Sequence, residues 1–214
     1  MKKIFKRVVL IIGVCLVAYV AYLIVVVGFY SVTHPTISLK PLDKAIDYDI
    51  VSAKQIEILL NDEIRQIEKL NKYDLTIGKI NMKLDREHRG KISVTFVEKD
   101  NRISPKIIIA ELDTRERMLY TIQDWGRENK LNPGIIHLHD WKIDSIDAVR
   151  IAEEFFIANE DFRYDEIWLH SYDNFLNSWC RWWVFLTDKK NKVRYEISID
   201  PYTGEVSSNN IRFL

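Results

Sequence analysis

Cysteine is scarce. This chain of 214 residues holds two, Cys15 and Cys180. One lies in an apolar N-terminal run and the other near the C-terminus, so they are not expected to pair. A disulfide scaffold and a four-cysteine zinc site are both excluded. Glycine and proline are also few, at seven and five. With 47% apolar residues, that argues against long disorder and leaves enough for a core in one or two domains. A surplus of one charge is missing as well. Four of the 31 basic residues fall in residues 1–30, which carry no acid, leaving 27 basic against 31 acidic, a net of −4. That is no electrostatic footprint for nucleic acid. Catalytic signatures are lacking too: no GxSxG, HExxH, P-loop or dinucleotide fingerprint occurs.

What is present begins with an uncharged run from Val8 to Gly28. As a helix, ~21 residues at ~1.5 Å each span ~31 Å, about a bilayer's hydrocarbon core. Lys2, Lys3, Lys6 and Arg7 precede it. The positive-inside rule then predicts a single-pass protein, with residues 1–7 cytoplasmic and the remainder outside the cell membrane. A signal peptide would have a shorter apolar core and a small-x-small site. Val26-Val27-Gly28-Phe29 is not such a site, so the segment reads as an uncleaved signal-anchor. Lipid modification of Cys15 would call for a small residue before it, and Val14 stands there.

Residues 29–50 hold two prolines and no clear period, and read as a stalk. Ser52 with Gln55 fits a capping box, and Ile56, Leu59, Leu60, Ile64 and Ile67 form one helical face. The period then changes to two. Ile80, Met82 and Leu84 alternate with polar residues, and strands follow at Lys91–Val97, Ile103–Leu112 and Met118–Ile122. Residues 124–140, with Asn132-Pro133-Gly134, read as a connection. A second helix starts at Asp144, with Asp147 three residues on and a buried face of Ala148, Ile151, Ala152, Phe155 and Phe156. A strand at Glu166–Tyr172 and an antiparallel hairpin over Ser178–Val206 complete the order.

The element order repeats. An ungapped shift of 89 places Phe96 on Phe185, Ile80 on Leu169, Ile108 on Ile197, Thr114 on Thr203 and Glu116 on Glu205. A shift of 92 aligns Ser52 with Asp144 as caps. The expected fold class is α+β: a transmembrane helix at 8–28, then two helix-plus-antiparallel-sheet modules at 51–123 and 141–214.

The second half, with the helix SIDAVRIAEEFF, a Trp-rich strand and the ending IDPYTGEV, resembles the PepSY domain family over about residues 141–210. Ala148, Ile151-Ala152, Trp182 to Val184, and Asp200, Thr203, Gly204, Glu205 and Val206 carry the likeness. The first half keeps Thr114 and Glu116 of the ending, with Arg115 at the glycine and Glu111 at the Asp200 position, so it resembles a degenerate copy. The resemblance implies a cystatin-like helix-on-sheet module, secreted or membrane-bound in the bacterial envelope, that binds or restrains peptidases. It implies no catalytic residues and no cofactor.

Two features stand out as candidate sites. Asp200, Thr203, Gly204 and Glu205 read as a structural turn: Pro201 suits the second position of a type I turn, and Gly204 can take positive φ. Trp179, Trp182, Trp183 and Phe185 offer a partner-binding face. Trp182 and Val184 share one side of the strand, Trp183 and Phe185 the other. Packing between the modules would cover that second side; exposure would make it a protein-binding surface. His137 and His139 with His170 would be the ligands of a metal-dependent enzyme, but their spacing offers no convergent set. The chain is therefore expected to be a non-enzymatic, membrane-tethered module that binds a peptide, a peptidase or an envelope protein. A structural spacer in an envelope complex is the second reading.

Overall fold

The computed structural model describes residues 16–22, 36–37, 40–41, 52–100, 105–127, 135–172 and 180–214. Its α-helices are α1 at residues 16–22, α2 at Ala53–Arg65 and α3 at Ser145–Phe156. Both longer helices begin at the predicted caps. The Ser52 side chain accepts from Gln55 N at 3.5 Å. Asp144 accepts from Ser145 N at 2.6 Å, and Asp147 closes a capping box on the Asp144 N–H. Each helix buries one stripe, Ala53, Ile56, Leu59, Leu60 and Ile64 on α2, and Ala148, Val149, Ala152 and Phe156 on α3. Phe155 is an exception to the predicted stripe. The buried arc of α3 runs through Ala148, Ala152 and Phe156 with Val149 on its flank, which turns Phe155 outward to 43% exposure.

The strands are β1 (Thr36–Ile37), β2 (Lys40–Pro41), β3 (Leu75–Asp85), β4 (Gly90–Glu98), β5 (Lys106–Asp113), β6 (Met118–Arg127), β7 (Glu166–Tyr172), β8 (Trp182–Asp188), β9 (Val193–Ile199) and β10 (Val206–Phe213). They do not form two separate modules. All belong to one antiparallel sheet in the order β1-β6-β5-β4-β3-β7-β8-β9-β10, with β2 also on β6. The expectation of two helix-plus-sheet modules is thereby corrected. Each helix is followed by a four-stranded meander, but the first strands of the two meanders, β3 and β7, pair along seven residues from Lys79–Tyr172 to Asp85–Glu166. That pairing consumes two edges which separate modules would leave as open rows of N–H and C=O groups. A single core results, running from Leu60 and Ile64 under α2 through Ile80 and Met82 to Trp182, Ile197 and Phe156 under α3.

The pairing also revises the repeat register. Asn81 stands opposite His170, its own counterpart at a shift of 89, so β3 and β7 meet across a local twofold. Beyond that the ungapped shift fails. Ile80 pairs Val94 and Leu169 pairs Val184, which makes the shift 90 for β4 and β8. Phe96 therefore matches Leu186, both in the core, and not Phe185, which lies on the other face. A one-residue slip flips every side chain across a sheet. Val94 pairs Ala110 and Val184 pairs Ile197, so β5 and β9 are related by 87. At that shift Asp113, not Glu111, is the counterpart of Asp200.

The expected transmembrane helix at 8–28 is also corrected, and with it the single-pass placement and the cytoplasmic tail at 1–7. Among the described residues no helix is long and apolar enough to cross a membrane. Of that segment, residues 16–22 are described, and they are helical. The rest of residues 1–28 lies outside the described residues. Of the stalk expected at 29–50, Thr36–Ile37 and Lys40–Pro41 instead pair with β6. Of the connection expected at 124–140, β6 continues to Arg127, Ile136 bridges to Ile77, and Leu138–Asp140 form a 3₁₀ turn. Residues 128–134 between them lie outside the described residues.

Candidate binding face

Because α2 and α3 cover one side of the sheet, alternation along each strand delivers the other residues to the opposite side. Trp182, Val184 and Leu186 point into the core, and the Trp182 indole donates to the Ile143 carbonyl at 2.9 Å. Trp141 packs edge-on to it at 5.1 Å. Trp182 is therefore a core residue, not part of a partner-binding face. Trp183 and Phe185 lie half-buried on the helix-free side, as alternation requires. Trp179 lies outside the described residues.

The neighbours of Trp183 and Phe185 come from β7. Trp168 is directly opposite Phe185, and His170 directly opposite Trp183. Directly opposed side chains interact across a ladder. The His170 ring stacks at 5.3 Å on Phe185 and 6.4 Å on Trp183. Trp168 meets Phe185 at 6.2 Å and remains 44% exposed. The Arg194 guanidinium lies 5.8 Å over the Phe185 ring. Burial pushes the His170 imidazole below its ordinary pKa, and the nearby Lys79 adds to the shift. These residues form a continuous aromatic strip on two central strands.

Next to the strip, a groove of about 620 Å³ is lined by Trp168, Asn81, Lys83, Lys91, Ser93, Glu111 and Tyr120 among others. Its walls mix apolar rings with hydrogen-bonding groups of both charges. Lys83 reaches Glu166 at 3.5 Å, and Lys189 reaches the same carboxylate at 2.6 Å. Burial opposes the charged form of Glu166, but these two lysines outweigh it and hold its pKa low. Tyr120 donates to Glu116, and this bond pushes the phenol up to about 12. Ser93 and Glu111 stand opposite each other on β4 and β5 within this lining. Trp168 and the groove residues escaped the sequence reading. The alternation of Glu166–Tyr172 was visible, but the register that sets Trp168 against Phe185 was not.

The predicted turn has the predicted residues in place. Asp200 Oδ1 accepts from Tyr202 N at 2.8 Å and Thr203 N at 3.0 Å, and Gly204 has φ +79°. Burial works against the charged form of Asp200, but those two backbone donors and the Thr203 hydroxyl outweigh it and hold its carboxyl below the usual range. Thr203 Oγ1 accepts from Glu205 N at 3.1 Å. The Pro201 carbonyl takes the N–H groups of Lys142 and Ile143 at 3.0 and 2.9 Å. The turn thus fixes the segment leading into α3. Asp113 heads the matching turn of the first half, accepting from Arg115 N and Glu116 N at 2.9 and 3.3 Å, and Arg117 takes φ +55° where Gly204 stands in the second.

The three histidines do not come together. His170 belongs to the aromatic strip. His137 caps the 3₁₀ turn and His139 lies within it, and among the described residues the metal-capable cluster there is His137, His139 and Asp140. Cys180 is a half-buried thiol in no disulfide, packed against the core.

No family model and no curated protein matches this chain. Among solved structures, it is similar to a candidate lipoprotein from Clostridium difficile 630, with a TM-score of 0.50 and 13% identity over 80% of this chain and 97% of that one. At that identity the likeness is one of fold.

Proposed function

We propose that this protein is a non-enzymatic binding module of the cell envelope that takes an extended polypeptide segment across the helix-free face of its sheet. The observation that carries this reading is the aromatic strip of Trp168, His170, Trp183 and Phe185 beside an open groove. Aromatic side chains dominate the energetics of protein recognition, and a patch of them on a sheet face is unusual without a partner. Lysines, a glutamate, asparagine and serine around the rings suit a peptide, which presents backbone polar groups and side chains of both kinds. The envelope location is supported by the fold neighbour's description as a lipoprotein. Membership of the PepSY-like group, with its peptidase-restraining role, is part of the same proposal. It is supported by the Asp200–Gly204 turn, built as that ending demands.

Peptide-display selection on the full chain, followed by calorimetry of the selected peptides, tests this. Trp168→Ala and Trp183→Ala should each weaken binding about tenfold or more, in the range of interface anchors, with the melting temperature lowered by no more than about a few degrees. Undiminished binding by both variants would remove the face from consideration. A spacer role is the second reading; it is favoured if no peptide is selected and the same variants leave assembly with envelope proteins intact.

A further inference from the structure

The segment joining the two halves carries a second group of chemically capable side chains, away from the aromatic strip. Ile136 is anchored on β3 by its bridge to Ile77. Leu138 and Trp141 are buried. Between these anchors His137, His139 and Asp140 all project into solvent. One ligand atom from each lies within 4.8 Å of the others. His139 Nε2 and Asp140 Oδ1 are 3.4 Å apart, close to the ~3.4 Å that separates two ligands of a tetrahedral zinc bound at ~2.1 Å. The rings of His137 and His139 have centroids 5.9 Å apart. Two imidazoles on one such ion stand about 5 Å apart by the same geometry, so a small rotation of two exposed side chains closes the set. The core anchors need not move.

We propose that His137, His139 and Asp140 form a site for a divalent transition metal of the zinc type, with a remaining coordination position open to water or an external ligand. Two imidazoles and one carboxylate exclude magnesium and calcium as the natural guests, since those ions take oxygen ligands. The surroundings are mixed in charge. Lys54 donates to the Trp141 carbonyl at 2.7 Å, while Glu57 on α2 is within electrostatic range of His139 and of Asp144. Because the site lies on the link between the halves, a bound ion ties that link in one conformation and stabilises the native state by mass action. The site stands apart from the peptide-binding reading and does not depend on it.

The test is calorimetric titration of the untagged full chain, stripped with chelator, with zinc alone at pH 7.5, and again at pH 5.5. One zinc per chain is expected at pH 7.5. Binding should weaken at least tenfold in His137→Ala and in His139→Ala, and several-fold in Asp140→Asn. His88→Ala should bind as the parent does. Binding should also fall at pH 5.5, where imidazoles protonate. Zinc should raise the melting temperature of the parent and not of the two histidine variants. The three side chains are exposed, so the metal-free variants should melt with the parent, which separates lost ligation from lost fold. Zinc uptake unchanged in both histidine variants, or no stoichiometric uptake up to about millimolar zinc, a Kd that carries little free energy, would overturn the site.

Discussion

Ser52 and Asp144, the caps of two helices 92 positions apart, hydrogen-bond to each other across the local twofold. The Asp144 carboxylate also accepts from Ala53 N at 3.0 Å, and Ser145 Oγ accepts from the same N–H at 2.8 Å. One carboxylate thus serves the first turn of both α2 and α3, where the positive ends of two helix dipoles converge. Asp144→Ala should cost about 2 kcal/mol, the upper end for a lost cap, and Ser52→Ala about 1 kcal/mol. Their effects should not add: a double-mutant cycle in urea should show a coupling of about 0.5 kcal/mol or more. Additive losses would mean that the two caps act independently.

The left-handed turn positions make a second comparison between the halves. Gly204 and Arg117 occupy matching places with φ of +79° and +55°. At Gly204 an added Cβ would also lie 3.3 Å from Ile143 Cδ1. Gly204→Ala should destabilise by about 1–2 kcal/mol, the cost of a left-handed residue with a side chain. Arg117→Gly should be neutral or stabilising by up to about 1 kcal/mol, because relief of that cost competes with glycine's greater unfolded-state entropy. Thermal melts of the two variants moving in the same direction would refute the equivalence of the turns.

Local signals in the sequence were easier to read than pairings. Ser52, Asp144 and Asp147 announced their helices because caps act within four residues. Asp200 and Gly204 announced their turn for the same reason. The β3–β7 pairing left no comparable trace, since it joins Asn81 to His170 through backbone groups that every residue carries. Once it forms, two expected modules become one sheet. The last strand was missed as well: Ser207, Ser208, Asn209 and Asn210 lack apolar alternation, and β10 is held by its ladder to β9 and by the Ser198–Ser207 hydroxyl contact at 2.8 Å. The long apolar run at the N-terminus gave a strong hydropathy signal, yet among the described residues no helix is long and apolar enough to cross a membrane.

The neighbouring tryptophans 182 and 183 separate stability from binding. Trp182 is fully buried, with its indole N–H satisfied by Ile143. Trp182→Ala should cost about 3–5 kcal/mol and remove the indole donor from the half-buried Ile143 carbonyl. Trp183, half-buried against His170 on the open face, should lose about 1 kcal/mol or less beyond its aromatic contacts. Denaturant midpoints would rank them. A Trp183→Ala protein as unstable as Trp182→Ala would show that the open face is structural.

His170 supplies the pH dependence. Its imidazole pKa is lowered by burial, and further by Lys79, in the folded protein. The unfolded chain has the ordinary value of about 6.5. Above that value both states are neutral at this residue and its contribution is complete. As pH falls through about 6.5 the unfolded state gains the proton first, so stability declines, and the decline ends below the folded pKa, where both states are charged. The stacking of His170 between Phe185 and Trp183 links this to the binding face, since a charged imidazole there must be solvated. Nuclear magnetic resonance titration should place the His170 pKa below 6.5, and His170→Gln should flatten the stability profile between about pH 5 and 7. A normal or raised pKa would remove this residue as the source of any acid sensitivity and would imply that water reaches the strip between β7 and β8.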